Sequence, residues 1–449
     1  VKRKSHWIVF WLASAACVVS LGAGAQPLPE LKAAPQEARA ARIAAELLTR
    51  FHYTPVPLDD ALSAKIFDRF LKSLDGEKLV FVQADVDAMA PYRTRLDDAI
   101  LTEDLSIPFA MFNLYVRRVA ERFAYARGLL AKGFDFRADE TFQVQRDKAT
   151  WPKTEDEARD LWRKRVKNDW LRLKLAGKDD RSIVEVLDKR YDAFVKRTSR
   201  IRGADAFQQF MNAYTTAIEP HTNYLGPQAA TEFGISMRLS LVGIGASLAE
   251  IDDFITIREL LPGGPAIASG LLKAGDRIVG VAQGADGAMT DVLGWRVDDA
   301  VGLIRGAPDS VVRLDVLPAD SGPDGKHRVV SLVRKTISLE AQAAKSAVRT
   351  FGEGKGARRI GVITLPTFYE DFSGRQKGAA DYRSASRDVA RLLEGLKKDR
   401  IEGLLIDLRN NGGGSLNEAI ALTGMFIDKG PVVQQRGAKG ELSVGVDDQ

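Results

Sequence analysis

Apolar residues recur at three- and four-residue steps through Arg42–Phe51 and Leu58–Leu74. That is the period of an amphipathic helix, and helical patterning extends from about Ala38 to Ala230. Trp162, Val166, Trp170 and Leu173 fall on one face of a helix expected to start near Thr154. An aromatic stripe at that spacing predicts a packed core, and the basic residues Arg163 to Lys167 a solvated face. Near Phe233 the period drops to two. Ile235, Met237, Leu239 and Leu241 alternate as in a strand, and Ile255 and Ile257 continue the signal. Gly and Pro become frequent between Gly243 and Pro323. These features predict a small, turn-rich β domain with one helix, Val297 to Ile304. After a polar link at Asp320 to Lys326, a strand is expected at Val329 to Leu332. The third region then reads strand Ile360–Leu365, helix Ser384–Lys397, buried strand Gly403–Asp407, loop Asn410–Gly414, helix Leu416–Phe426 and strand Val432–Gln435. That β-α-β-α-β order predicts a parallel or mixed sheet covered by helices.

Charge and cysteine usage narrow the reading. Lys2, Arg3 and Lys4 precede an apolar run from Trp7 to Leu21 and the small residues Ala23-Gly24-Ala25. This is the layout of a secretory signal with cleavage after Ala25. The run is short for a membrane span, which needs about 20 residues. Ser14 stands where a lipoprotein signal ending at Cys17 wants an aliphatic residue. The formal net charge of +5 falls to +2 without the leader, with 62 basic against 60 acidic residues, so nucleic acid is not an expected partner. Cys17 is the only cysteine. The exported chain therefore has no disulfide and no thiol nucleophile. The four histidines, His6, His52, His221 and His327, form no His-Glu-x-x-His motif. Metal catalysis has no support and no cofactor is expected.

Three motifs carry chemistry. Leu241-Val242-Gly243-Ile244-Gly245 is a glycine-containing turn, where successive N–H groups can converge on an anion. The strand after it, Ala246 to Ile251, could accept an added peptide strand. Downstream, Pro262-Gly263-Gly264-Pro265 leads through Ser269-Gly270 to the tight turn Gly275-Asp276. The stretch from about Ile235 to Pro318 resembles a PDZ domain of the type carried by bacterial proteases. The resemblance implies that a free C-terminal carboxylate docks near Val242, Gly243 and Ile244. The peptide would lie between the Ala246 strand and the helix bearing Val297, Val301 and Ile304. Those three residues share a helix face, which suits an apolar pocket or the PDZ core alike.

Glu219-Pro220-His221-Thr222-Asn223-Tyr224-Leu225 is similar to the stretch that precedes the PDZ domain in C-terminal processing proteases, with Glu219 in place of Asp. His221 reads as a structural hydrogen-bonding residue. In Asp407-Leu408-Arg409-Asn410-Asn411-Gly412-Gly413-Gly414, a strand enters three glycines ahead of a helix. Glycines admit close approach of a substrate carbonyl, and a helix N-terminus adds positive potential, which suits an oxyanion hole. A phosphate loop would want Gly-Lys-Ser/Thr, which is missing. The segment resembles the signature of the tail-specific protease core. The resemblance implies an oxyanion role for the run Gly412, Gly413 and Gly414, with Gly413 chosen as donor and Asp407, Arg409 and Asn411 as braces. His52-Tyr53, Leu58-Asp59-Asp60 and Ile66 to Asp75 resemble the helical domain of the larger periplasmic members.

The family cuts peptide bonds with a Ser nucleophile and a Lys base. Neither is identifiable here, because both are expected beyond the end of the chain. Ser415 reads as a helix N-cap. The chain alone is thus expected to be inactive. The expected fold is multidomain α+β: signal peptide 1–25, helical N-terminal domain 26–230, PDZ β domain 231–320 and partial α/β protease core 321–449. The expected function is that of a periplasmic serine endopeptidase that recognises apolar C-terminal tails, with an adaptor protein as a further partner. Membrane contact is expected only through an uncleaved signal peptide. The alternative is a non-catalytic PDZ protein that binds tails.

Overall fold

A computed structural model describes residues 30–322 and 324–447. The predicted signal segment and Cys17 lie outside the described residues. The chain forms two compact units. One comprises Glu77–Asp85 and Phe109–Ile201, and the other Ala33–Gly76, Val86–Pro108 and everything from Arg202 on.

The first unit is helical. Its helix Glu155–Leu175 begins as expected, with the Thr154 side chain accepting the Glu157 N–H. Trp162, Val166 and Trp170 are buried with Phe123, Leu187 and Tyr191, and Leu173 packs against them. The indole of Trp162 donates to Leu79 O at 2.6 Å, which satisfies its N–H inside the core. The solvated-face expectation for Arg163 to Lys167 is corrected. Arg163 forks onto Glu140 at 2.6 and 3.0 Å, and Lys167 is buried while gripping the same carboxylate. The two cations hold the Glu140 carboxyl down at about 2. A helical period alone does not reveal a carboxylate delivered from a distant loop.

In the second unit, the helix Asp60–Asp75 packs on Gly203–Ile218, with Phe70 edge-on to Phe210 at 5.5 Å. The alternation from Ile235 to Leu241 does not make a strand. A helix runs from Pro227 to Arg238, and Leu239 turns left-handed at φ 49° after it. Only Ile235 and Met237 of the four alternating residues lie in that helix, and so short an alternation fits a helix as well as a strand. Pro227 at the first helical position and Arg238 in the last turn decide for the helix. The strand that follows is short, β1 (Ser240–Gly243).

The sheet that comes next consists of β2 (Ala246–Ile251), β3 (Phe254–Leu260), β4 (Arg277–Gln283), β5 (Thr290–Asp291), β6 (Val311–Leu317) and β7 (Arg328–Val333). Its order is β2-β3-β4-β6-β7, with β5 beside β4, so β2 is an edge. The helix Val297–Ile304 stands where it was expected. Ile255, Ile278, Val281, Ala300, Leu314 and Val316 fill the core. β8 (Lys335–Ser338) returns antiparallel to β1.

The last region holds β9 (Lys345–Phe351), β10 (Arg358–Thr364), β11 (Gly403–Asp407), β12 (Gly430–Arg436) and β13 (Leu442–Asp447). β10 and β11 are parallel and joined through the helix Ala385–Lys398, while β9 is antiparallel, so the sheet is mixed. β11 was expected to be buried, yet Leu405 is 54% exposed. It is an edge strand of three, covered on one face. β12 does not join that sheet and pairs with β13 instead. The helix after the glycines is Leu416–Gly424, two residues shorter than expected.

Candidate functional site: a peptide groove and a glycine loop

The turn after β1 is held by its carbonyls. Ile244 O accepts the Ala266 N–H and Gly245 O the Leu261 N–H, both at 2.8 Å. Among the described residues, the N–H groups of Ile244 and Gly245 are not donors in this backbone network. Gly245 has φ 76°, and a methyl there would stand 2.7 Å from the Gly264 Cα. Only glycine permits both the conformation and the contact.

Beside the turn, β2 and the helix Val297–Ile304 flank a groove of about 830 Å³. Gly243, Ile244, Val301 and Ile304 line it. Ile244 and Ile304 also belong to the buried core beneath this sheet. Val242 and Val297 are not among the lining residues. Val242 pairs with Thr336 between β1 and β8, and Val297 packs against the core.

Two groove elements were missed from sequence. Phe233, Ile235 and Ser236 line it from the helix that had been read as a strand. Arg305 lines it too, pairing with Glu232 at 2.6 Å. Its signal was a basic residue directly after the helix bearing Val301 and Ile304. That helix end is fixed by Arg334, which is buried and donates to Ile304 O at 2.7 Å and Leu303 O at 3.0 Å. Burial lowers the pKa of this guanidinium. The helix C-terminus offers it negative potential in return.

The glycine loop is braced by side chains. Asn411 donates to Leu365 O at 2.9 Å and accepts the Gly413 N–H at 2.7 Å. Gly413 O accepts from Thr367 Oγ1 at 2.7 Å and from the Phe368 N–H at 2.8 Å. The Gly413 N–H is therefore spent within the loop. Gly412 and Gly414 are not donors in the backbone network among the described residues. Gly414 sits at φ 140°, and a Cβ there would be 2.3 Å from Phe368 O. Arg409 chelates Asp407 at 2.7 and 2.9 Å and holds its carboxyl at about 2.

Below the loop, Ser415 caps the helix Leu416–Gly424 and donates to Glu370, which is fully buried against Arg375 at 2.6 Å. Glu418, also buried, accepts from Ser384 Oγ at 2.8 Å and the Ser386 N–H at 2.7 Å. The loop thus leads into a helix N-terminus above a set of buried, hydrogen-bonded side chains.

The structural role expected of His221 falls to its neighbours. His221 is exposed and its backbone N–H reaches the Glu219 carboxylate at 3.0 Å. The Thr222 hydroxyl donates to Glu219 and meets His52 Nε2 at 3.0 Å. These bonds hold the Glu219 carboxyl below its usual range.

The second unit thus carries an edge-stranded β domain with a glycine turn, followed by a mixed α/β region with a braced glycine loop. Residues 43–228 match the tail-specific protease N-terminal domain, 234–317 the PDZ domain and 359–447 peptidase family S41. A tail-specific protease of Haemophilus influenzae is 42% identical over 402 residues, covering 89% of this chain and 55% of that protein. The carboxy-terminal processing protease CtpA of Bacillus subtilis is 29% identical over 217 residues, covering 48% of this chain and 40% of that protein. A crystallised PDZ domain of a carboxy-terminal protease from Vibrio cholerae, in complex with peptide, is 51% identical, covers 22% of this chain and 100% of that one, and has a TM-score of 0.22. The chain belongs to the tail-specific protease family. It spans about half the length of the curated relatives it matches.

Proposed function

We propose that this chain is the tail-recognising portion of a serine endopeptidase of the C-terminal processing type, acting on exported proteins in the periplasm. The observation that carries the reading is the turn at Ile244 and Gly245, whose carbonyls are bound while its N–H groups lie at the head of a groove beside an edge strand. A tail would add a strand to β2, place its carboxylate on those N–H groups and set an apolar last side chain against Val301 and Ile304. The glycine loop would supply the oxyanion donor. With the Gly413 N–H bound by Asn411, Gly412 and Gly414 are the better candidates. Ser415 is buried, bound to Glu370 and engaged as a cap, so the nucleophilic Ser and its Lys base are assigned outside this chain. Isothermal titration of the whole chain with an apolar-ended peptide and with its C-terminal amide tests the recognition step. The amide is expected to bind at least about tenfold more weakly. Equal affinities overturn the carboxylate reading.

A further inference from the structure

The charged residues that line the groove are unevenly matched. Three are acids, Glu232, Glu259 and Asp298, and among the described lining residues Arg305 is the one cation. Its stem lies along the glycine turn, with its Cγ 3.9 Å from where a Cβ on Gly243 would stand. Its guanidinium meets Glu232 through a single bond, from Nη1 to Oε1 at 2.6 Å. The Glu232 side chain is 51% exposed. The helix Val297–Ile304 is held in place without that bond. Arg334 fixes its last carbonyls from within. At its first turn Arg296 forks onto Asp205 at 2.5 and 3.4 Å, and Arg202 grips Asp299 with both prongs. A half-exposed pair with one bond contributes little to stability, so its partners are free to change. A carboxylate seated on the Ile244 and Gly245 N–H groups would enter a groove with three acids against one base. Arg305 is then the one lining side chain that can neutralise it. A charge-assisted bond inside the groove is stronger than one to a half-exposed carboxylate. Glu232, left behind, regains water at little cost.

We propose that Arg305 turns from Glu232 to the carboxylate of a bound tail, and that Glu232 is a resident competitor which each tail must displace. The inference rests on the tail-binding reading of the groove. It adds an exchange of charges to the backbone donors of the turn. The competitor is carried by the helix Pro227–Arg238, outside the sheet that flanks the groove. That helix therefore sets how strongly the groove prefers a free carboxylate over a neutral chain end.

The test is calorimetric titration of the whole chain with an apolar-ended peptide and with its C-terminal amide, read as the ratio of the two affinities. The ratio cancels any change in packing that both peptides feel. Glu232→Gln removes the competitor and should raise the preference for the free carboxylate roughly threefold. Arg305→Gln should lower it roughly threefold. With Arg305→Gln already in place, adding Glu232→Gln should bring no recovery. A ratio unmoved by Arg305→Gln overturns the exchange and leaves the tail reading standing. So does an undiminished gain from Glu232→Gln in the absence of Arg305, which would mean that Glu232 acts by repulsion alone. Equal binding of peptide and amide to the unaltered chain removes the tail reading itself, and the exchange with it.

Discussion

The two glycine turns of the second unit differ in what braces them. The turn at Gly243–Gly245 is held by backbone alone. The Ile244 and Gly245 carbonyls are taken, both residues line the groove, and Gly245 is wedged against Gly264 by a contact that leaves no room for a methyl. The loop at Gly412–Gly414 adds side chains to its backbone bonds with Phe368: Asn411, Thr367 and, through Ser415, the buried Glu370. The carboxylate seat proposed for the first turn needs several adjacent free donors. The oxyanion donor proposed for the second loop needs rigidity instead. Preorganisation by buried polar groups is costly unless every group is satisfied, and the bonds of Glu370, Ser415, Glu418, Ser384 and Ser386 interlock.

The sharpest way to break the comparison is Gly414→Ala. It combines a φ of 140° with a 2.3 Å approach to Phe368 O, and should cost about 3 kcal/mol in urea denaturation. Gly413→Ala sets a side chain into open space at φ 92° and should cost only about 1–2 kcal/mol. Equal losses would remove the Phe368 contact as the deciding feature. At the other turn, Gly245→Ala pushes against Gly264 and should weaken tail peptide binding at least about tenfold by calorimetry. Unchanged affinity would mean that the turn does not present the donors. Asn411→Ala should lose about 1 kcal/mol and speed hydrogen exchange at the Gly413 amide. Slow exchange there would locate the brace elsewhere.

The smallest effect serves as a control in the first unit. The Glu140 carboxyl is held at about 2 against an ordinary 4.5 by Arg163 and Lys167. Its folded value is depressed, so its contribution is full above pH 4.5 and fades as the pH falls towards 2. The stabilities of the protein and of Glu140→Gln should therefore converge in acid and separate above pH 4.5. A constant gap would show that the ion pair is not its source.

Much of this architecture was legible in the chain. The helix Val297–Ile304, the strand Gly403–Asp407, the helix start near Thr154 and the Trp162 stripe all follow from hydrophobic period, which acts within a few residues. Ile235–Met237 misled because a two-residue alternation that short is also compatible with a helix face. Arg305, Phe233 and Glu140 were missed because each gains its role from a partner far along the chain, Arg305 from Glu232 and Glu140 from Arg163.

The sequence by itself determined the local elements, the glycine positions and the order of the three regions, because backbone sterics and hydrophobic period are properties of adjacent residues. The tertiary structure alone decided which N–H groups are spent and which are left, that Val242 and Val297 stand away from the groove while Arg305 faces it, and that Glu370 underlies the glycine loop. Hydrogen-bond satisfaction and burial depend on which distant segments meet, and no local pattern encodes that meeting.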